Sequence, residues 1–217
     1  NDLETNNNWT WNFNWYESLA EETDMKSDSF GGNDDVWADT VDLFLWAGHG
    51  PYPNIHFWTN HSTESASSAN LARTEVRWGD LDMEWAALFT CSFLRHDSDQ
   101  EWIDEIGPMQ NGVHLIQGFA TTMYIADGQG QTYYDHLTGS GVFTTVKTVK
   151  QAWFETASYW QNKAANNNNY DGTIVARVLG ATASGDDYIW GYGSQSSDPA
   201  PYPNDNYSYW DLTVYTP

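Results

Sequence analysis

An α/β fold with a mainly parallel central sheet and an irregular or β-rich C-terminal extension is the class this sequence predicts. Three observations lead there: short, nearly continuous apolar runs of buried-strand length, one long stretch with helical apolar spacing, and the alternation of the two along the chain.

The first signal is the strict alternation of Trp9, Trp11, Phe13 and Trp15 with Thr10, Asn12 and Asn14, the period of a half-buried strand. Residues 17–26 have helix-forming composition with acidic residues early, which suits the positive end of a short helix. After loop chemistry at 29–35, the run VDLFLWA at 41–47 reads as a central parallel strand covered on both faces. A polar loop at 59–70 leads to WGDLDMEWAALFT at 78–90, whose end gives a second central strand stopping at Cys91. GVHLIQGFATTMYIAD at 112–127 supplies a third. In 142–163 the spacing of Val146, Val149, Trp153, Phe154, Ala157 and Trp160 predicts a long amphipathic helix, and TIVARVLGA at 173–181 a fourth strand. The tail has Gly, Pro, Tyr and Trp but no helical period. The expected organisation is therefore an α/β domain over 1–183 with the extension 184–217 packed on it.

Thirty acidic against eight basic residues give a formal net charge of -22, which excludes nucleic acid and anionic membrane surfaces as electrostatic partners. Such acidity fits either an extracellular protein of a salt-tolerant organism or simply a solvated acidic surface. Thirteen tryptophans and thirteen tyrosines mark a chain that folds, and no apolar stretch approaches the roughly 20 residues needed to cross a bilayer. One cysteine excludes an internal disulfide. The start at Asn1 reads as a mature or excised segment, and sequons at Asn8, Asn60 and Asn206 are candidate glycosylation sites if the protein is exported. Phosphate-loop, dinucleotide, G-x-S-x-G and H-E-x-x-H patterns are all missing, and no cofactor is expected.

The chemistry concentrates at two strand ends. DLFLWAGHG places His49 between two glycines, and WAALFTCSF ends on Cys91. Catalytic groups of an α/β sheet gather at the carboxyl ends of its strands, and neighbouring parallel strands can set an imidazole beside a thiol. Glycine on both sides of His49 allows close substrate approach, so the Gly50 and Cys91 amides are candidate oxyanion donors. A buried cysteine alone is ordinarily an inert small hydrophobe, and a histidine in such a turn a backbone-bonded one. It is the pairing at matching strand ends that points to chemistry.

An apolar strand ending in His-Gly, followed 42 residues later by one ending in Cys, resembles the clan CD cysteine peptidases: caspases, metacaspases, legumains, gingipains and separases. VDLFLWAGHG, WGDLDMEWAALFTCSFL, NGVHLIQGFATT and VKQAWFETA are similar to an uncharacterised family of exported caspase-like domains, and the likeness covers roughly residues 30–181. It implies a caspase-like three-layer sandwich and a cysteine endopeptidase acting on a peptide or protein. In it Cys91 attacks the scissile carbonyl, His49 protonates the leaving amine, and the Gly50 and Cys91 amides hold the oxyanion. Gly118, Phe119 and Thr121 become candidates to line the substrate pocket. Thr90-Cys91-Ser92 departs from the usual surroundings of the family's cysteine. If 9–15 is the family's first strand, Asn12 or Asn14 is placed to orient the imidazole, although alternation equally makes both solvent-facing.

Other signals carry less. His56 and His61 lie near His49 without zinc-motif spacing, and His96, His114 and His136 read as structural. Acidic clusters at 33–35, 97–99 and 186–187 lack EF-hand spacing and read as hydrated surface, so no metal is expected. The aromatic-rich ends suit self-assembly. They support the rival reading, a non-catalytic member of the same fold serving as the unit of an extracellular surface layer or filament.

Overall fold

The computed structural model describes residues 9–16, 19–57 and 70–217. Its strands are β1 (Leu43–Ala47), β2 (Asn54–His56), β3 (Asn70–Ala72), β4 (Trp85–Phe89), β5 (Leu115–Phe119), β6 (Ile174–Ala181) and β7 (Tyr207–Tyr215). The two longer helices are α1 (Gln129–Thr138) and α2 (Val149–Asn167). Five strands form one sheet in the order β1-β4-β5-β6-β7, while β2 and β3 pair separately as an antiparallel ribbon.

The sheet is mixed. β1, β4 and β5 are parallel, but β6 runs antiparallel to β5 and β7 antiparallel to β6. The expected fourth strand is thus present with opposite direction. Two helices lie between β5 and β6, and each reverses the chain, whereas a single crossover helix would have returned it parallel. The tail after residue 184 supplies β7, a full edge strand of the same sheet.

Side-chain alternation divides the core into two layers of packing. Trp85, Ala87 and Phe89 of β4 face α1 and α2, meeting Tyr133, Leu137 and Trp153. Ala86 and Leu88 face the other way, onto Trp78, Phe93, Ile106 and Met109 in irregular and short helical segments. β4 and β5 are buried throughout, as continuous apolar runs require. In α2, Thr148 caps the start by accepting from the Gln151 amide at 3.3 Å, and Val149, Ala152, Trp153, Thr156 and Ala157 form the buried stripe. The helix therefore begins seven residues later than its apolar spacing suggested.

Several expected elements differ. Residues 9–16 make no ladder; Phe13 packs inward against Phe44 at 6.4 Å and Trp15 against Trp37 at 4.3 Å, while the rings of Trp11 and Tyr16 are exposed. Of the helix expected over 17–26, residues 17 and 18 lie outside the described residues; among 19–26 helical turns are limited to Leu19 and Glu22–Asp24, because the stretch has too thin an apolar face to bury a longer helix. β1 is an edge strand rather than a central one, with Leu45 46% exposed. β5 is limited to five residues of the predicted 112–127.

Not all acidic residues are surface. Asp34 and Asp187, in two of the clusters read as hydrated, are buried. Asp34 Oδ1 accepts the Asp28 and Asp35 amides, and Asp187 Oδ2 lies 2.6 Å from buried His114 Nδ1, which ties the tail to the start of β5. Burial pushes the Asp34 carboxyl up to about 7; burial and the neighbouring Asp80 take Asp39 to about 8. Burial, with the charge of Asp42, raises Glu84 to about 7. Burial alone would lower His114, but the hydrogen bond and charge of Asp187, with Asp198 and Glu84, outweigh it and raise its pKa.

All four groups hold protons more tightly folded than unfolded, so their contribution favours folding at low pH and is lost as pH rises through the folded values. Between pH 5 and pH 8 the thermal midpoint is expected to drop by roughly 5 °C or more. Asp34→Asn, which keeps the Oδ1 acceptor, should flatten that slope in calorimetry at stepped pH. Trp153, fully buried with Nε1 donating to the Gly118 carbonyl at 3.2 Å, joins α2 to β5. Trp153→Ala should cost about 3–5 kcal/mol in denaturant titration.

Candidate active site

The β1/β4 ladder pairs Ala47 with Phe89. His49 and Cys91 each lie two residues beyond that pair, so the alternation that turns Phe89 toward the helices turns both of them to the same side. They meet in an open cleft of about 360 Å³ lined by His49, Gly50, Pro51, His56 and Cys91. Two of the expected residues, and both expected oxyanion amides, are therefore brought together at the carboxyl ends of neighbouring parallel strands.

Local backbone geometry presents the sulfur. Ser92 adopts φ 55°, a left-handed conformation uncommon outside glycine, and its amide donates to the Thr121 carbonyl at 2.9 Å. The chain turns sharply there and leaves Cys91 half-buried at the apex. The Cys91 thiol donates to the Met123 carbonyl and accepts from the Met123 amide, both at 3.4 Å. His49 is exposed and makes no hydrogen bond to the sulfur. Gly50 is pressed against the cysteine loop: a Cβ there would sit 2.3 Å from Thr90 Oγ1 and 2.5 Å from the Cys91 carbonyl oxygen. Among the described residues, no acceptor engages the Gly50 or Cys91 amide.

The loops on either side of the cleft are tied to each other. Arg73, fully buried, donates to the Phe93 and Arg95 carbonyls and pairs with Glu105 at 2.6 Å. Arg177 donates to the intervening Leu94 carbonyl at 3.0 Å and pairs with Asp211. Tyr52, two residues past Gly50, lies beneath the guanidinium groups of Arg73 and Arg95 at 5.0 and 4.8 Å, with its hydroxyl donating to Glu101.

The structure adds His56 to the cleft, a residue that sequence reasoning weighed only as a metal ligand. It is held by its backbone amide on the His49 carbonyl at 2.8 Å and by Nδ1 against Asn70 Oδ1 at 2.9 Å. An amide oxygen on one ring nitrogen fixes the imidazole and leaves the other nitrogen for chemistry. Spacing along the chain could not have revealed Asn70, because the β2/β3 register delivers it.

Other candidates fall elsewhere. Gly118 and Phe119 are core rather than pocket: Leu94 crowds the first and Trp153 stacks near the second at 5.5 Å. Thr121 touches the site through its carbonyl on Ser92, while its hydroxyl accepts the Val175 amide. Asn12 and Asn14 line a different groove, along β1, and do not reach His49. Asn206 is exposed, whereas Asn8, Asn60 and His61 lie outside the described residues. Metal-ligand geometry occurs away from the cleft, at the amino ends of β1 and β4, where oxygens of Asp42, Asp82 and Glu84 lie within 4.8 Å of one another.

No solved structure matches the chain. An uncharacterized protein of Archaeoglobus fulgidus is 29% identical over 132 residues, covering 58% of this chain and 48% of the relative. The chain thus spans about half the length of the curated relative it matches. The domain of unknown function DUF6345 matches residues 1–212, and the chain belongs to that family.

Proposed function

We propose that this chain is a caspase-like domain acting as a cysteine peptidase on peptide or protein substrates outside the cell. The observation that carries the reading is the shared cleft of His49, Cys91 and two unengaged amides at the ends of adjacent parallel strands. Turning the exposed His49 ring onto the sulfur closes the dyad, and His49 then takes the thiol proton. The thiolate attacks the scissile carbonyl carbon, and the amides of Gly50 and Cys91 receive the oxyanion. Collapse breaks the C–N bond as His49 returns the proton to the leaving amine. Water then hydrolyses the thioester and frees the thiol. His56, fixed by Asn70, is the second ring bordering the sulfur.

The rival reading is a non-catalytic subunit of an extracellular assembly, and one observation favours it: the sulfur spends its hydrogen bonds on Met123 rather than on an imidazole. Alkylation separates the two. On the peptidase reading iodoacetamide labels Cys91 rapidly at neutral pH, His49→Ala slows labelling roughly tenfold or more, and His56→Ala slows it by a smaller factor. Sluggish labelling that neither substitution changes would leave the structural role.

The cleft also depends on Gly50. Gly50→Ala forces the two loops apart at the Thr90 and Cys91 contacts and should cost about 1–3 kcal/mol in chemical denaturation while slowing alkylation of Cys91.

A further inference from the structure

A second trough, of about 600 Å³, runs along the outer edge of β1, away from the cleft of Cys91. One wall is the extended segment 9–15, the other is residues 40–46, and α1 closes one side with Gln131 and Tyr134.

Backbone direction shows what that edge offers. The Asp42 carbonyl accepts from Trp85, and the Gly48 amide donates to Phe89. A strand residue points its N–H and C=O to the same side and its neighbours point theirs to the other, so Phe44 and Trp46 bond β4. Leu43, Leu45 and Ala47 therefore present three donors and three acceptors outward. Among the described residues, β1 pairs with β4 alone. An unpaired edge beside an apolar trough is the geometry that accepts an added strand.

Charge selects the strand. Among the described residues, carboxylates of Glu21, Asp24, Asp42 and Asp82 line the trough, and no lysine, arginine or histidine does. The rings of Trp9, Trp11 and Trp46 supply faces that attract cations. A second copy of this chain would bring another net charge of -22, and its aromatic segment 9–15 carries no cation. Neutral sugars would use the rings but leave the backbone edge without a strand and the negative charge of the trough uncompensated.

We propose that the outer edge of β1 is a docking groove for an extended basic segment of a partner protein, which adds to β1 as a strand and sets its lysine or arginine side chains against the carboxylates. The proposal is independent of any chemistry at Cys91. Crowding of like charge at the groove is consistent with it: burial, with the charge of Asp82, holds the Asp42 carboxyl above its ordinary range.

Fluorescence anisotropy with dye-labelled hexapeptides tests this on the whole chain, carrying Cys91→Ala so that no cleavage contributes. A peptide alternating lysine and valine is expected to bind at least tenfold tighter than its glutamate counterpart, with affinity falling as salt rises. Leu45→Pro removes one outward donor and no bond to β4, and should weaken binding tenfold or more while the circular dichroism melt persists. If that variant does not fold, Asp82→Lys, at an exposed position, serves instead and should weaken binding at least fivefold. Equal affinity for both peptides, or full affinity in the folded variant used, overturns the proposal. So does concentration-dependent dimerisation of the free chain that the same variant abolishes, which would assign the edge to a second copy.

Discussion

Pairing of Ala47 with Phe89 in the β1/β4 ladder governs both ends of this molecule. A slip of one residue would send His49 and Cys91 to opposite faces of the sheet, because side chains alternate with a period of two. The register is held by what it buries. Phe44 and Trp46 pack with Ala86 and Leu88 on one face, while Phe89 meets Trp153 at 4.8 Å on the other. Any slip would expose those rings and bury polar groups in their place.

The same two strands separate two electrostatic environments. At their amino ends Asp42, Asp82 and Glu84 crowd together, and at their carboxyl ends stand the imidazoles and the thiol. Cations are scarce, yet two of the four arginines are buried beneath the loop that follows Cys91. Burying a guanidinium is costly unless it is paired and its donors are used. Arg73 and Arg177 meet both conditions, each with a carboxylate partner and with the carbonyls of residues 93–95 as acceptors. That arrangement makes the loop rigid where it presents the sulfur, and Tyr52 extends the rigidity to the histidine loop through stacking.

Much of this was legible in the residues. The apolar runs around Leu43–Ala47, Trp85–Phe89 and Ile174–Ala181 are strands, and the spacing from Val149 to Ala157 is a helix. That His49 and Cys91 follow the ends of two strands is read from the apolar runs that stop just before them. α1 escaped notice because Gly130, Thr132 and two tyrosines are weak helix formers, and it is held by tertiary contacts: Tyr133 and Leu137 dock in the core and Trp160 of α2 donates to Thr132. The alternation in 9–15 promised a strand, but its rings found partners in Trp37 and Phe44, and packing overrode the period. Gly118 and Phe119 could not be placed from sequence, since facing Leu94 and Trp153 depends on segments far along the chain.

By itself the sequence determined what is local: where apolar runs begin and stop, which positions share a face, the acidity of the surface, and the presence of an imidazole and a thiol at two strand ends. Tertiary structure decided strand order and direction, the edge position of β1, the arrival of His56 and Asn70 at the cleft, and the engagement of the sulfur by Met123. Periodicity is set by backbone geometry within a few residues. Which strand lies beside which is set by the burial of surfaces contributed from distant parts of the chain, and no single stretch carries that information.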